Sequence, residues 1–383
     1  MPRPFDTPER AAFRETLERF ADAEIRPHAT EWDEAGAIPA ELHEKVGALG
    51  LFGIGFPEQY GGTGFDDPFM RCDGWQALMR GGAGGVAAQL GGRMISVGLI
   101  NRFASHEQKA AVLPEVLSGR QSSSLAVTEP GGGSDVAALR TRARREGNGW
   151  RLDGEKTFIT AGLTSRWFVV AARTGGEGIG GVSLFLVEWG APGFSRRSVG
   201  PKQGWWCSDT ATLSFDDCRL PAEALLGPEN GGFVAAMENF NNERLVMTAQ
   251  MLGMMRLCYA ESLAYARERV TFGKPLVRHQ AIAHKLVEMS ARIDWLEAWL
   301  DRLCWETEQG RPPVAGIAKA KASASKALEF CASEAMQIFG GAAYLRGNPV
   351  ERVWRELKVM AIGGGSEEIM RDLAARQMGL AAG

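Results

Sequence analysis

QSSSLAVTEPGGGSDVAALRTRARREGNGWRLDGEKTFIT, residues 121–160, is where the chain changes its period. Leu139, Thr141 and Ala143 alternate with Arg140, Arg142 and Arg144, the two-residue repeat of a strand with one wet face. Gly147-Asn148-Gly149 supplies a turn, and a second run ends at Phe158-Ile159-Thr160. SRWFVVAAR (165–173), GVSLFLVEW (181–189), GFSRRSV (193–199) and TATLSFDDCRLP (210–221) repeat the pattern between Gly, Pro, Asn and Asp turns. This spacing predicts a small β-barrel or sandwich over residues 121–222.

On either side the period is helical. In residues 1–120, Thr7-Pro8-Glu9 offers a cap, a proline at the first helical position and an acid in the first turn. Phe13, Leu17, Phe20, Ala21 and Ile25 then recur at helical spacing. Further helices are expected from Pro39, after Asp66-Asp67-Pro68, over Gly81–Ile100, and over His106–Leu117. In residues 223–383, long periodic stretches at 235–268, 277–309, 315–339 and 349–361 are separated by short glycine-bearing breaks. They predict an antiparallel four-helix bundle, with a shorter helix over 366–378. The fold class is therefore α+β, with an N-terminal helical domain, a middle β-domain and a C-terminal bundle.

Composition removes several function classes. The 383 residues carry a formal net charge of -3, so nothing favours nucleic acid as a main partner. The six cysteines form no C-x-x-C pair and no zinc-like cluster, so no metal is expected and the thiols read as reduced. MPRPFDTPER lacks the marks of a targeting segment, and no stretch of about 18 apolar residues occurs. A cytoplasmic protein without a membrane span is the expectation.

Five segments carry chemistry. In Thr128–Asp135, three successive glycines expose backbone N–H groups and allow close approach of a planar ligand, although most glycine runs are only turns. Phe158 beside Thr160 at a strand end offers a stacking face and a hydroxyl, or simply a core aromatic. Arg267–Lys274, followed by His279-Gln280, is a charged break after a long helix, where Arg269 suits a phosphate or a carboxylate. Gln337–Gly341 ends another helix, and Ile362–Ile369 joins three glycines to Ser366, a good helix cap.

Taken in order, EQYGGTG, AVTEPGGGSD, DGEKTFITAG, SDTATLSFDDCRLP, NNERLV, RERVTFGKP, HQAIAHKLVEM, QIFGGAAYL and IGGGSEEIMR resemble the acyl-CoA dehydrogenase family. The resemblance runs from Phe5 to about Met378. It implies FAD, with Leu125, Val127, Thr128, Ser134, Phe158 and Thr160 on the flavin or thioester side. The family commonly has Trp where Phe158 stands. Arg269, Thr271, His279 and Gln280 match positions for the FAD diphosphate and adenine. Gln337, Gly340 and Gly341 match a stretch that reaches FAD from a neighbouring subunit. Ser366 and Glu368 match flavin contacts after the glycine turn.

The implied reaction is α,β-desaturation of an acyl-CoA to the trans-2-enoyl-CoA within fatty acid (lipid) metabolism. The implied acceptor is an electron-transferring flavoprotein, and the implied assembly is a homotetramer, a dimer of dimers. Many members carry the catalytic base in a Glu-Gly-Thr turn, where this chain has Gly364. The family's other location lies on a bundle helix just before an arginine, which here is Glu243 before Arg244. Glu243 is the expected base, Glu367 and Glu368 are the other candidates, and Ser134, Arg244 and Gly364 are expected beside the substrate. The small residues of 81–98 either leave room for the acyl chain or permit tight helix packing. The scaffold also admits a flavin oxidase or monooxygenase, or an idle member serving as a scaffold protein.

Overall fold

The computed structural model describes residues 3–380. Its N-terminal helices are α1 (Pro8–Phe20), α2 (Ala29–Ala35), α3 (Ala40–Ala48), α4 (Pro68–Leu78), α5 (Gly84–Gly92), α6 (Met94–Phe103) and α7 (His106–Leu117). Local chemistry sets their starts. Thr7 Oγ1 accepts from Arg10 N, and Asp67 Oδ1 accepts from Phe69 N and Met70 N. Ser105 and Gln108 close a reciprocal capping box on α7.

The single helix expected over Gly81–Ile100 is two. Gly82 at φ +70° ends a preceding 3-10 turn, and α5 and α6 are broken at Arg93. The Arg93 carbonyl accepts from Ser123 Oγ at 3.0 Å, and its guanidinium donates to the carbonyls of Gly119 and Gln121. The break thus coincides with tertiary hydrogen bonds that local period does not report.

The strands are β1 (Ser123–Ala126), β2 (Arg142–Glu146), β3 (Gly149–Thr160), β4 (Trp167–Arg173), β5 (Val182–Glu188), β6 (Phe194–Ser198), β7 (Thr210–Leu220) and β8 (Leu225–Leu226). They form one sheet in the order β6-β7-β3-β2-β4-β5-β8, with β1 parallel to β4. Phe168 of β4 meets Phe194 of β6 edge-on at 5.0 Å, although their strands lie far apart in that order. The sheet therefore curls over a core that includes Trp150, Leu152, Val170, Phe185 and Phe215. Ala143 is buried while Arg142 and Arg144 are exposed, as the alternation predicts.

The third region opens with α8 (Gly232–Glu268), 37 residues long. A hairpin of β9 (Val270–Thr271) and β10 (Lys274–Pro275) follows. Then come α9 (Gln280–Glu308), α10 (Val314–Phe339), α11 (Pro349–Ile362) and α12 (Glu367–Gln377). The helix expected from Val277 begins three residues later, because Leu276–Arg278 form a 3-10 turn and His279 is extended. Met251, Leu252, Met255, Met289, Leu296 and Leu328 centre the bundle core. All six cysteines are buried and unpaired. Among the described residues there is no cluster of metal ligands and no helix long and apolar enough to cross a membrane.

Candidate active site

Asn239, Glu243 and Met247 lie one turn apart on α8 and share a face. Glu243 is half-buried, and its Oε2 is sealed from solvent with no hydrogen-bond partner among the described residues. Burial pushes its carboxyl up to about 7, against the opposing pull of Arg244 and Lys321. Arg244, itself buried, donates from Nε to the Gly364 carbonyl at 2.9 Å. Lys321 of α10 is completely buried and donates to the Gly365 carbonyl at 2.7 Å and, more weakly, to that of Ala361 at 3.4 Å.

The Gly363–Gly365 turn joins α11 to α12 directly beside this group. Gly364 has φ +67°, and a Cβ there would stand 2.7 Å from Met247 Sδ. The sulfur one turn beyond Glu243 thus fills the space a side chain at 364 would need. Glu367 is engaged elsewhere: it accepts from Ser325 Oγ at 2.8 Å and pairs with Arg371, and these partners hold its carboxyl below the usual range. Glu368 is exposed on the first turn of α12, where backbone and Ser366 hydrogen bonding hold it low. Ser366 caps α12 through Ile369 N. Of the three candidate carboxylates, only Glu243 combines burial with an unpartnered oxygen.

A second patch forms on the sheet. Leu125 of β1 packs, half-buried, on the core that also receives Phe240 and Val246 of α8. Val127 is buried, Thr128 is half-buried, and Gly131–Asp135, with Ser134, lie exposed. This loop is stapled from beneath. The completely buried Lys156 donates to the Val127 carbonyl at 3.0 Å and to Glu129 Oε1 at 2.8 Å. Glu129 also accepts from the backbone N–H groups of Arg140 and Thr141. The staple was missed in the sequence, although Lys156 shares the inward register of Trp150 and Leu152 on β3. Lys321 was missed likewise, although it falls on the apolar face of α10 with Ile317, Ala324 and Leu328.

Phe158 sits at a break in the β3–β7 register, with φ +58° and 69% of its surface exposed. Left-handed backbone is unfavourable for an aromatic residue, and here it turns an apolar ring into the open. Pairing resumes at Ile159–Thr160. Thr160 supports α5: a Cβ on Gly92 would meet Thr160 Cγ2 at 2.7 Å. A planar cofactor lying over the ring and the exposed glycine loop would give both a physical reason.

The remaining predicted positions gather at the far end of the bundle. Arg269 and Gln280 are exposed, and Thr271 bonds His279 Nε2 at 3.3 Å. Phe272, at the tip of the β9–β10 hairpin, is 97% exposed. Gln337, Gly340 and Gly341 are exposed at the end of α10, where Phe339 stacks on Tyr265 at 4.4 Å. Along α8, Arg269 lies ~39 Å from Glu243 at the rise of a straight helix.

The small residues of α5 face packed neighbours. A Cβ on Gly91 would touch the Trp75 ring at 3.3 Å, and one on Gly85 would meet Cys207 Sγ at 2.8 Å. Of the two expectations for this run, tight packing accounts for these two glycines and for Gly92.

Comparison with known proteins agrees with this architecture. Profiles described as the N-terminal, middle and C-terminal domains of acyl-CoA dehydrogenase match residues 7–120, 124–218 and 230–379. The long-chain specific acyl-CoA dehydrogenase, mitochondrial, of Mus musculus is 36% identical over 369 residues, covering 96% of this chain and 85% of its own. The crystal structure of acyl-CoA dehydrogenase from Geobacillus kaustophilus superposes with a TM-score of 0.93 at 31% identity, over 98% of this chain and 100% of that one. A glutaryl-CoA dehydrogenase from Mycobacterium smegmatis, in complex with FADH2, gives 0.93 at 26% identity, over 99% of this chain and 96% of that one. The protein is thus a flavin-dependent oxidoreductase whose cofactor is FAD. It belongs to the acyl-CoA dehydrogenase family.

Proposed function

We propose that the chain oxidises a saturated acyl-CoA to its trans-2-enoyl thioester, with Glu243 as the base that removes the α-proton. The observation that carries this reading is the buried, unpartnered Oε2 of Glu243. A carboxyl raised to about 7 is a stronger base than an ordinary one, and a good share of it is ionised at neutral pH. The bound FAD expected here would supply the two-electron acceptor for the hydride lost from the β-carbon. The proton stays on Glu243 and is released with turnover.

The other residues bind and orient. Leu125, Val127, Thr128, Ser134, Phe158 and Thr160 would hold the flavin side, and Ser366 and Glu368 would meet it after the glycine turn. Ser134, Arg244 and Gly364 would border the thioester. Arg269, Thr271, His279 and Gln280 would hold the diphosphate and adenine, with Gln337, Gly340 and Gly341 reaching a neighbour's cofactor. The ~39 Å between Glu243 and Arg269 along one helix supports a site shared between two chains. The exposed Phe272, Tyr344 and Leu345 support the same reading. A dimer is then the minimum working unit, a tetramer its doubled form, and an electron-transferring flavoprotein the acceptor.

The test is anaerobic bleaching of the FAD-loaded enzyme by a panel of acyl-CoAs. Glu243→Gln should keep FAD and acyl-CoA binding yet slow flavin reduction by about 10²–10⁴-fold. Reduction at the wild-type rate would remove Glu243 from the chemistry.

A further inference from the structure

Two buried cations hold the Gly363–Gly365 turn, and each comes from a different helix. Arg244 takes the Gly364 carbonyl from α8, and Lys321 takes the Gly365 and Ala361 carbonyls from α10. Carbonyls left free at the end of α11 favour a cation, so Lys321 has a local reason to be there. That reason is incomplete, because a glycine turn or water satisfies such carbonyls without burying an ammonium. Lys321 is completely buried, and among the described residues no carboxylate lies within ion-pair distance of it. The carboxylates acting on it at longer range are Glu367, Glu243 and Glu368.

Glu367 is already held by Ser325 and Arg371, and Glu368 is exposed. Glu243 remains as the carboxylate without a partner of its own. The charges acting on it are Arg244 from its own helix and Lys321 from α10. The Arg102–Glu238 pair that bridges α6 to α8 is exposed and self-neutralising.

We propose that Lys321 is a positioning residue for proton abstraction, fixing the turn that carries Gly364 and supplying positive field that keeps the Glu243 carboxylate ionised. This rests on Glu243 being the base. Lys321 touches no reacting atom. Its ammonium does two things that a neutral side chain of the same length separates: it donates to the turn, and it acts on Glu243 through space. Burial pushes its own pKa down to about 8, so the field weakens above that pH.

The experiment uses the FAD-loaded enzyme and the variants Lys321→Met, Lys321→Gln and Lys321→Arg, with Glu243→Gln as reference. Fold and flavin content are checked by thermal melt and absorbance. The direct readout is the pH titration of the Glu243 carboxyl stretch, isolated as the infrared difference between each variant and its Glu243→Gln partner without substrate. The second readout is the pH profile of anaerobic flavin reduction by whichever acyl-CoA bleaches the wild type. Lys321→Met and Lys321→Gln should move both midpoints up by about one pH unit, while Lys321→Arg leaves them in place. Unmoved midpoints in a folded neutral variant overturn the inference, as does an equal shift in Lys321→Arg. If Glu243→Gln itself bleaches normally, the base reading has failed, whereas the infrared titration still reports whether Lys321 acts on the carboxyl.

Discussion

Glu243→Gln should make the protein more stable as well as inactive, and the gain should grow with pH in a defined window. The buried Oε2 has no partner, and the folded carboxyl holds its proton up to about 7 against an ordinary 4.5. A raised carboxyl means that the folded state binds more protons than the unfolded state between those two values. Wild-type stability therefore falls with rising pH across the window, by 1.36 kcal/mol per pH unit. Over the whole window the loss is about 3 kcal/mol. Glutamine does not ionise, so the variant lacks this slope. Its neutral amide carries its own burial cost, but that cost is independent of pH and cancels when the two proteins are compared at two pH values. The assay is urea unfolding of both proteins between pH 4 and 8, at fixed protein and FAD concentrations because either changes apparent stability. The gap between the curves should widen by about 3 kcal/mol and level off above pH 7. Parallel curves would refute the reasoning, because they would mean that Glu243 ionises as easily folded as unfolded.

The staple beneath the glycine loop should behave as a buried pair. Lys156→Met, leaving Glu129 without its cation, should cost about 3–5 kcal/mol and weaken FAD retention; joining it to Glu129→Gln should cost less than the two separate losses combined, and strict additivity in urea unfolding would argue against coupling. Moving the base should depend on Met247. Glu243→Ala with Gly364→Glu should stay nearly inactive, since a side chain at 364 meets Met247 Sδ at 2.7 Å on backbone with φ +67°, while adding Met247→Ala should recover flavin reduction in part. Equal activity with and without the Met247 change would show that the sulfur does not block the position.

The two-residue alternation of Leu139, Thr141 and Ala143 made the β-domain readable, because a half-buried strand must separate its apolar and charged residues. The bundle helices were readable for the corresponding helical reason. The split at Arg93 was not: the hydrogen bonds found there join Arg93 to Gly119, Gln121 and Ser123, and period reports only local preference. The positions of Glu243 and Gly364 came from motif order. What the sequence did not contain is what a side chain at 364 would meet: left-handed backbone at φ +67° and Met247 Sδ at 2.7 Å from its Cβ.

Several of the site's residues depart from ordinary local preference. Phe158 exposes an aromatic ring on left-handed backbone, Lys156 and Lys321 bury ammonium groups, and Glu243 buries a carboxylate oxygen without a donor. Each is unfavourable in isolation, and sequences generally keep local preference and tertiary setting in agreement. The departures fall on the segments where the cofactor and thioester are expected, the strand end, the loop beneath it and the helix facing the glycine turn. Lys156 departs to hold the loop, and Lys321 to hold the turn. Phe158 and Glu243 are different, since nothing within the described chain meets their exposed ring face or unpartnered oxygen. Under the proposed function a bound ligand would meet both, which separates the groups that would touch ligand from those that keep them in place.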